Sequence, residues 1–253
     1  MKEISAAAAH SQSDALAECL VCPVRMKTAY AGLDETVLAR LADVRRGQVE
    51  FPEKALVVRE GDSCAEFYSV RDGWIFNYKL LPDGRRQIIN FILPGDVVDI
   101  SSLGTGHSLA SVQTVTPATL CVFDRVAFNR LIGNAPMLAE TLQARSATEL
   151  ASIHDRMASI GRRSARERIA HLILAILHRR SNGELVEGRA HAWPLRQEHV
   201  ADALGLTPIH VNRTIRSLRE EGLLSLRGSK LEVHRHRDLV RLANIGSNVA
   251  TPD

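Results

Sequence analysis

The stretch from Arg196 to Leu224, RQEHVADALGLTPIHVNRTIRSLREEGLL, restricts the fold more than any other part of the chain. Val200, Ala201 and Leu204 fall on one side of a helix that begins near Gln197, and Gly205 stops it with a turn. Thr207 then stands where an N-cap is wanted and Pro208 at the first helical position, so a second helix follows at once. On that helix Val211, Ile215 and Leu218 share one face, and Ile209, Asn212, Arg213 and Arg216 share the other. A plain αα-hairpin has the same apolar spacing, but it needs no polar, basic N-terminal half on its second helix. Two short helices joined by a glycine turn, the second presenting such a half, are the sequence form of a DNA-reading helix-turn-helix.

The flanks agree with that reading. Ala165 to Arg180 predicts an amphipathic helix with Ile169, Leu172, Ile173, Ile176 and Leu177 inward, and Arg179 and Arg180 at the end where the helix dipole favours cations. His191-Ala-Trp193-Pro194 leads into the motif as a short strand or extended entry. After Gly222, LLSLRGSKLEVH reads as a hairpin with its turn at Arg227-Gly228-Ser229. This makes a winged helix-turn-helix whose Arg227 and Lys230 are placed to touch phosphates. From residue 161 on, 16 lysines and arginines face 10 acidic residues, a net of +6, whereas the preceding 160 residues carry 16 against 19, a net of −3. A basic C-terminal third on a slightly acidic body fits a nucleic-acid module attached to something else.

From about Gly47 to Asp124 the pattern changes to short β-rich segments: ALVV, EFYSV, GWIFNYKL, RQIINFIL and ATLCVF. EGD, RDG, PDG and PGD turns punctuate them at the spacing of a double-sheet roll. Leu138, Leu142, Leu150, Ile153, Met157 and Ile160 then recur at spacings mostly of three and four, interrupted by Arg145, Ser146 and Glu149. That stripe predicts a long helix that packs on its own roll or zips against a second copy, and two-fold DNA reading favours the second copy. The fold class is therefore α+β: an N-terminal β jelly roll, a long dimerisation helix and a C-terminal winged helix-turn-helix. The expected boundaries are a mobile segment over 1–34, the roll over 35–133, the dimerisation helix over 134–160, the winged domain over 161–241 and a disordered tail over 242–253.

Catalytic chemistry finds no residues to stand on. A jelly-roll metalloenzyme needs His and carboxylate ligands projecting inward from neighbouring strands, and His107, in the glycine-rich GTGHS, is the one histidine of the roll. A phosphate-cradling loop and a nucleophile elbow are both missing. The competing functions are a small-ligand-binding or metal-dependent enzyme on the roll with an accessory C-terminal domain, and a non-DNA adaptor. No apolar run spans a bilayer and no signal peptide is evident, so the expectation is a cytoplasmic protein with no membrane partner. Its four cysteines, Cys19, Cys22, Cys64 and Cys121, are then thiols or ligands rather than a disulfide scaffold.

This arrangement resembles the Crp-Fnr family of bacterial regulators, most specifically in GRRSARERIAHLIL and ALGLTPIHVNRTIRSLREEGLL. The resemblance implies a homodimer that binds palindromic promoter DNA and acts on RNA polymerase. By position, Arg213 matches the family arginine that reaches guanine O6 and N7, and Thr207 and Arg196 match its phosphate contacts. Pro208 and Ile209 stand where the family places Arg and Glu, which leaves His210 and Asn212 as polar readers and the usual half-site in doubt. Cyclic AMP binding is not expected, because VVDISSLGTGHSLAS after the PGD turn holds no Arg or Lys for the cyclic phosphate. The family's oxygen sensors hold a [4Fe-4S] cluster on three N-terminal cysteines and one in the roll. Cys19, Cys22 and Cys121 match three of those positions, Tyr30 lies near the place of the missing one, and Cys64 is the remaining thiol. A cluster, a thiol redox pair and a relic motif all stay open.

Overall fold

The computed structural model describes residues 12–22, 24–25, 29–181 and 187–244. They form two compact units: the described residues up to Lys79 together with Phe91–Ala151, and Leu80–Asn90 together with the described residues from Ser152 on.

The first unit begins with a helix α1, Gln12–Leu20, in the segment expected to be mobile. Long-range contacts explain the difference. Leu16 packs on the apolar core, and the Glu18 carboxylate accepts from the Arg45 guanidinium at 2.7 Å and from Gln48 at 3.0 Å. Residues 1–11 and the tail from 245 on lie outside the described residues. Helix α2, Glu35–Val44, is capped by the Asp34 carboxylate, which accepts from the Val37 N–H at 2.8 Å, and buries Val37, Leu38 and Leu41.

Two four-stranded antiparallel sheets follow. One runs β1 (Arg45–Phe51), β8 (Ala118–Asp124), β3 (Glu66–Asp72), β6 (Val97–Val98); the other runs β2 (Leu56–Val58), β7 (Ser111–Thr114), β4 (Ile75–Leu80), β5 (Arg86–Ile92). This is the expected jelly roll. Val70, Val98 and Leu120 from the first sheet meet Ile75, Ile92 and Val112 from the second in a shared core. Gly73 enters β4 at φ 96°, and a Cβ there would stand 2.5 Å from the Pro117 carbonyl oxygen, so only glycine fits the corner. A short helix α3 (Ser102–Thr105) follows β6, and α4 (Arg125–Gly133) follows β8. Phe67, Phe123 and Phe128 form an aromatic trio with centroids 4.2 to 5.7 Å apart, covered by α2, α4 and the start of α5.

Helix α5 runs Pro136–Arg162, longer at both ends than the apolar stripe alone requires. Leu138 and Leu142 are buried in the core of the roll, whereas Leu150 and Met157 are 53% and 67% exposed. The stripe is thus divided, its first part serving the roll, and in its second part Leu150 and Met157 are open to solvent while Ile153 and Ile160 are half-buried. Arg145, in the polar interruption, pairs with Asp96 of the PGD turn.

In the second unit Ser164 caps α6, Ala165–Arg180, in a capping box with Glu167. Ile169, Leu172, Ile173, Ile176 and Leu177 of α6 are buried, and the first three face Trp193, Val200, Leu224 and Leu231. The remaining elements are β9 (Ala190–Ala192), α7 (Gln197–Leu204), α8 (Pro208–Glu220), β10 (Leu224–Arg227), β11 (Lys230–Val233) and α9 (His236–Leu242). β11 pairs with both β10 and β9, so the expected hairpin is a three-stranded sheet.

Candidate nucleic-acid interface and thiol cluster

Gly205 takes φ 64° and ψ 38°, the left-handed geometry that lets α7 end and α8 begin three residues on. The Thr207 hydroxyl accepts from the His210 N–H at 3.2 Å, and Pro208 occupies the first position, where its missing N–H costs nothing. Val211, Thr214 and Leu218 are buried, which turns Ile209, Asn212, Arg213 and Arg216 outward with His210 half-buried beside them. Ile209 is 83% exposed. Arg213 forms no hydrogen bond or ion pair with any described residue, so its five donors face solvent. Arg216 is engaged with Glu220 one turn on, at 2.8 Å. Arg196 is exposed at the entry to α7, and across the wing turn the exposed Arg227 and Lys230 are register partners.

Three braces that sequence reasoning missed hold this surface in shape. Arg166 of α6 makes a two-pronged pair with the Glu221 carboxylate at 2.6 and 2.7 Å, and Ser217 donates to the same carboxylate at 2.9 Å. Arg166 and then Ser217 hold Glu221 down to about 2. Buried His199 accepts the Arg196 N–H on Nδ1 at 3.1 Å, which keeps the proton on Nε2, and burial pushes its pKa down. Arg86 pairs with Asp202 of α7 at 2.7 Å, and the Gln87 amide donates to the Ala203 carbonyl at 3.3 Å. Spacing signals only the short-range members, His199 three residues after the cap and Ser217 four before Glu221; the Arg166, Arg86 and Gln87 contacts join residues more than fifty apart.

In the first unit Cys19, at the end of α1, Cys22 just after it and Cys121 on β8 line one cavity of about 80 Å³, together with Phe67, Phe123 and Phe128. Arg45, its side chain 5% exposed, reaches the Cys19 sulfur at 4.0 Å. Burial raises the Cys19 thiol and pushes Cys121 up to about 11, with Arg45 pulling both the other way. Cys64 is not brought to them. It is buried among Asp62, Asp99, Ser102 and Arg125, bonded to the Asp62 carbonyl at 3.5 Å. With three thiols on the cavity and the fourth elsewhere, the residues do not fit a four-cysteine cluster, and among the described residues no group of three or more His, Cys, Asp or Glu side chains stands ready to hold a metal.

The segment from Val97 to Ser111 presents the Asp99 carboxylate, held by the Ser101 hydroxyl, and the exposed His107, whose ring meets the Thr105 carbonyl at 3.0 Å. A cyclic phosphate would meet an anion there.

Residues 48–135 match the cyclic nucleotide-binding domain model, and residues 167–242 the Crp-like helix-turn-helix domain model. A nitrogen fixation regulation protein FixK of Bradyrhizobium diazoefficiens is 33% identical over 210 residues, covering 82% of this chain and 86% of that one. The chain belongs to the Crp-Fnr family. The transcriptional activator protein FnrL of Cereibacter sphaeroides is 29% identical over 224 residues, covering 87% and 89%. The structure of FixK2 from Bradyrhizobium japonicum superimposes with a TM-score of 0.69 at 29% identity, over 77% of this chain and 96% of that one. As a Crp-Fnr protein the chain is a transcription regulator of the DNA-binding type, and the enzyme alternative loses its ground. Among the described residues no helix is long and apolar enough to cross a membrane.

Proposed function

We infer that this Crp-Fnr regulator binds palindromic promoter DNA as a homodimer in the cytoplasm and acts there on RNA polymerase. The observation that carries the reading is α8: capped, rigidly braced and outward-facing, with the unpaired Arg213 at its centre and the Arg227 and Lys230 wing beside it. Arg213 is assigned to a guanine, His210 and Asn212 to neighbouring bases, and Arg196, Thr207, Arg216, Arg227 and Lys230 to phosphates. Pro208 shapes the helix start, and Ile209 offers an apolar surface to the groove. The solvent-open Leu150 and Met157 supply the dimer seam, which sets two recognition helices about 34 Å apart on one face of the duplex. The decisive test is selection from a random-sequence DNA pool at moderate salt. A palindromic consensus supports the reading, and retention without sequence preference or no retention refutes it.

The signal assigned to the roll is oxygen or redox state rather than cyclic AMP. Three thiols around one cavity support the first, and Asp99, in a segment without Arg or Lys, argues against the second. An iron-sulfur cluster would here have three cysteine ligands and need a fourth of another kind. Anaerobic purification with iron and sulfide assays decides the point: a brown, iron-containing protein supports a cluster, and an iron-free one leaves thiol chemistry.

A further inference from the structure

At the joint between α5 and α6 Arg156 has no carboxylate among the described groups that act on it. Arg156 has its guanidinium enclosed, and its Nη1 has no hydrogen-bond partner. Its other terminal nitrogen donates to the neutral Asn90 oxygen at 3.3 Å. Burial, and after it the charge of another cation, Arg179 of α6, lowers the Arg156 pKa to about 10. One turn on, Ser159 is 1% exposed and its hydroxyl is also unpartnered. One turn further, Arg163 spends Nη2 on the Asn244 carbonyl at 3.2 Å and leaves Nη1 buried and unpartnered. Arg156 and Ser159 lie one turn apart on α5, and Arg163 follows directly after its end, its N–H still donating to the Ser159 carbonyl at 3.0 Å. Burial, with Arg163 and Arg156 adding to it, pushes His171 of α6 down to about 4. Asp155 acts on His171 and is not among the groups acting on Arg156.

A buried guanidinium without a carboxylate is among the costlier things a fold can contain, and two more unpartnered buried polar atoms within seven residues compound the cost. Their chemistry matches a compact oxyanion, which accepts several charge-assisted hydrogen bonds at once. We propose that Arg156, Ser159 and Arg163 form a binding site for a small oxyanion, phosphate or a phosphomonoester, at the α5–α6 joint. Arg179 adds positive potential, and Asn90 orients the Arg156 fork. The site lies between the long helix and the DNA-reading unit in the sequence, so its occupancy reports on that joint. It does not depend on the proposed DNA contacts.

The test is thermal unfolding of the full chain in phosphate-free zwitterionic buffer, with potassium phosphate titrated in against potassium chloride at constant ionic strength. The expected result is a melting temperature that rises with the logarithm of phosphate concentration once the site fills. Phosphate also stabilises proteins in general by exclusion from their surfaces, so the variants carry the decision. Arg156→Met should weaken the apparent affinity about tenfold or more, while raising the melting temperature without phosphate because a buried cation is gone. Ser159→Ala, which removes one hydroxyl and risks no misfolding, should weaken it roughly two- to tenfold. Equal phosphate dependence in all three proteins overturns the site. So does a wild type that ignores phosphate while Arg156→Met dissociates the dimer, because the counter-charge would then be a carboxylate of the second copy.

Discussion

Arg213→Ala isolates the contact on which the DNA reading rests. Arg213 is exposed and forms no hydrogen bond or ion pair with a described residue, so its loss should change folding stability by no more than about 0.5 kcal/mol, the range of unengaged surface positions. On DNA the effect is different in kind. An arginine bridging guanine O6 and N7 discriminates by about 1 to 3 kcal/mol, and a two-fold site loses the contact twice. With independent half-sites the total is about 2 to 6 kcal/mol, or roughly 30-fold to 10⁴-fold in affinity. Arg216 would give a poorer experiment, since removing it also strands Glu220. The assay is competition binding of wild type and variant on the selected consensus and on duplexes altered at one symmetric pair of positions, over a salt series. The variant should become indifferent to base identity at that pair and keep its salt slope, because a base contact carries specificity and a phosphate contact carries counterion release. A uniform loss on every duplex with a shallower slope would make Arg213 a phosphate contact. Unchanged affinity and consensus would refute its role altogether.

Ile209, at 83% exposure, should contact a thymine methyl: replacing that thymine by deoxyuridine should cost wild type about 0.8 kcal/mol per methyl and Ile209→Ala nothing. Equal losses in both proteins would place the methyl elsewhere. His171 binds its proton less readily folded, at about 4, than unfolded, near 6.5, so the unfolded chain takes up more protons between those values and stability falls as pH drops through them. After solvent screening the loss is about 2 kcal/mol, and denaturant melts of wild type and His171→Gln in phosphate-free buffer should show that the variant lacks it. Gly73→Ala forces a side chain onto the Pro117 and Ala118 backbone at positive φ and should cost about 2 kcal/mol or more in the same melts, and a neutral result would mean that the corner yields.

Legibility in the sequence followed locality. Gly205, Thr207 and Pro208 act within one or two residues of themselves, and Val211, Ile215 and Leu218 repeat at a fixed period, so the reading unit could be drawn before any coordinates existed. β3, β4, β5 and β8 were equally visible, each an apolar run between turn residues. β1 was not: Arg45-Arg46-Gly47-Gln48-Val49-Glu50-Phe51 has no clean alternation, and it is a strand because β8 pairs with it. α1 was hidden for the same reason, since the Glu18 and Arg45 pair that fixes it spans 27 residues. The approach of Cys121 to Cys19 and Cys22 came from the resemblance, whereas the Arg45 guanidinium among them came only from the fold. Arg156 shows the limit most sharply, because a charged residue in an apolar stripe reads as solvent-facing and its enclosure is a property of what packs on it.

The two unassigned chemistries of the chain, thiols and buried cations, stand at opposite kinds of joint. The thiols tie α1 to the roll through Cys19 and Cys121, with Arg45 serving both the Glu18 pair and the sulfur beside it. Metallating those thiols removes protons that burial now holds in place, and the resulting thiolate charge must draw on the same guanidinium that anchors α1 through Glu18. A change of thiol state is therefore a change in the tether of α1 and in the packing of α2 against it. The cations at the α5–α6 joint respond to a different species by the same logic of unmet charge. Arg213 is unmet charge as well, but exposed, where water solvates it at little cost. Burial separates the three cases: an exposed unpaired arginine is a reader in waiting, an enclosed one calls for a counter-ion, and enclosed thiols stay neutral until something takes their protons.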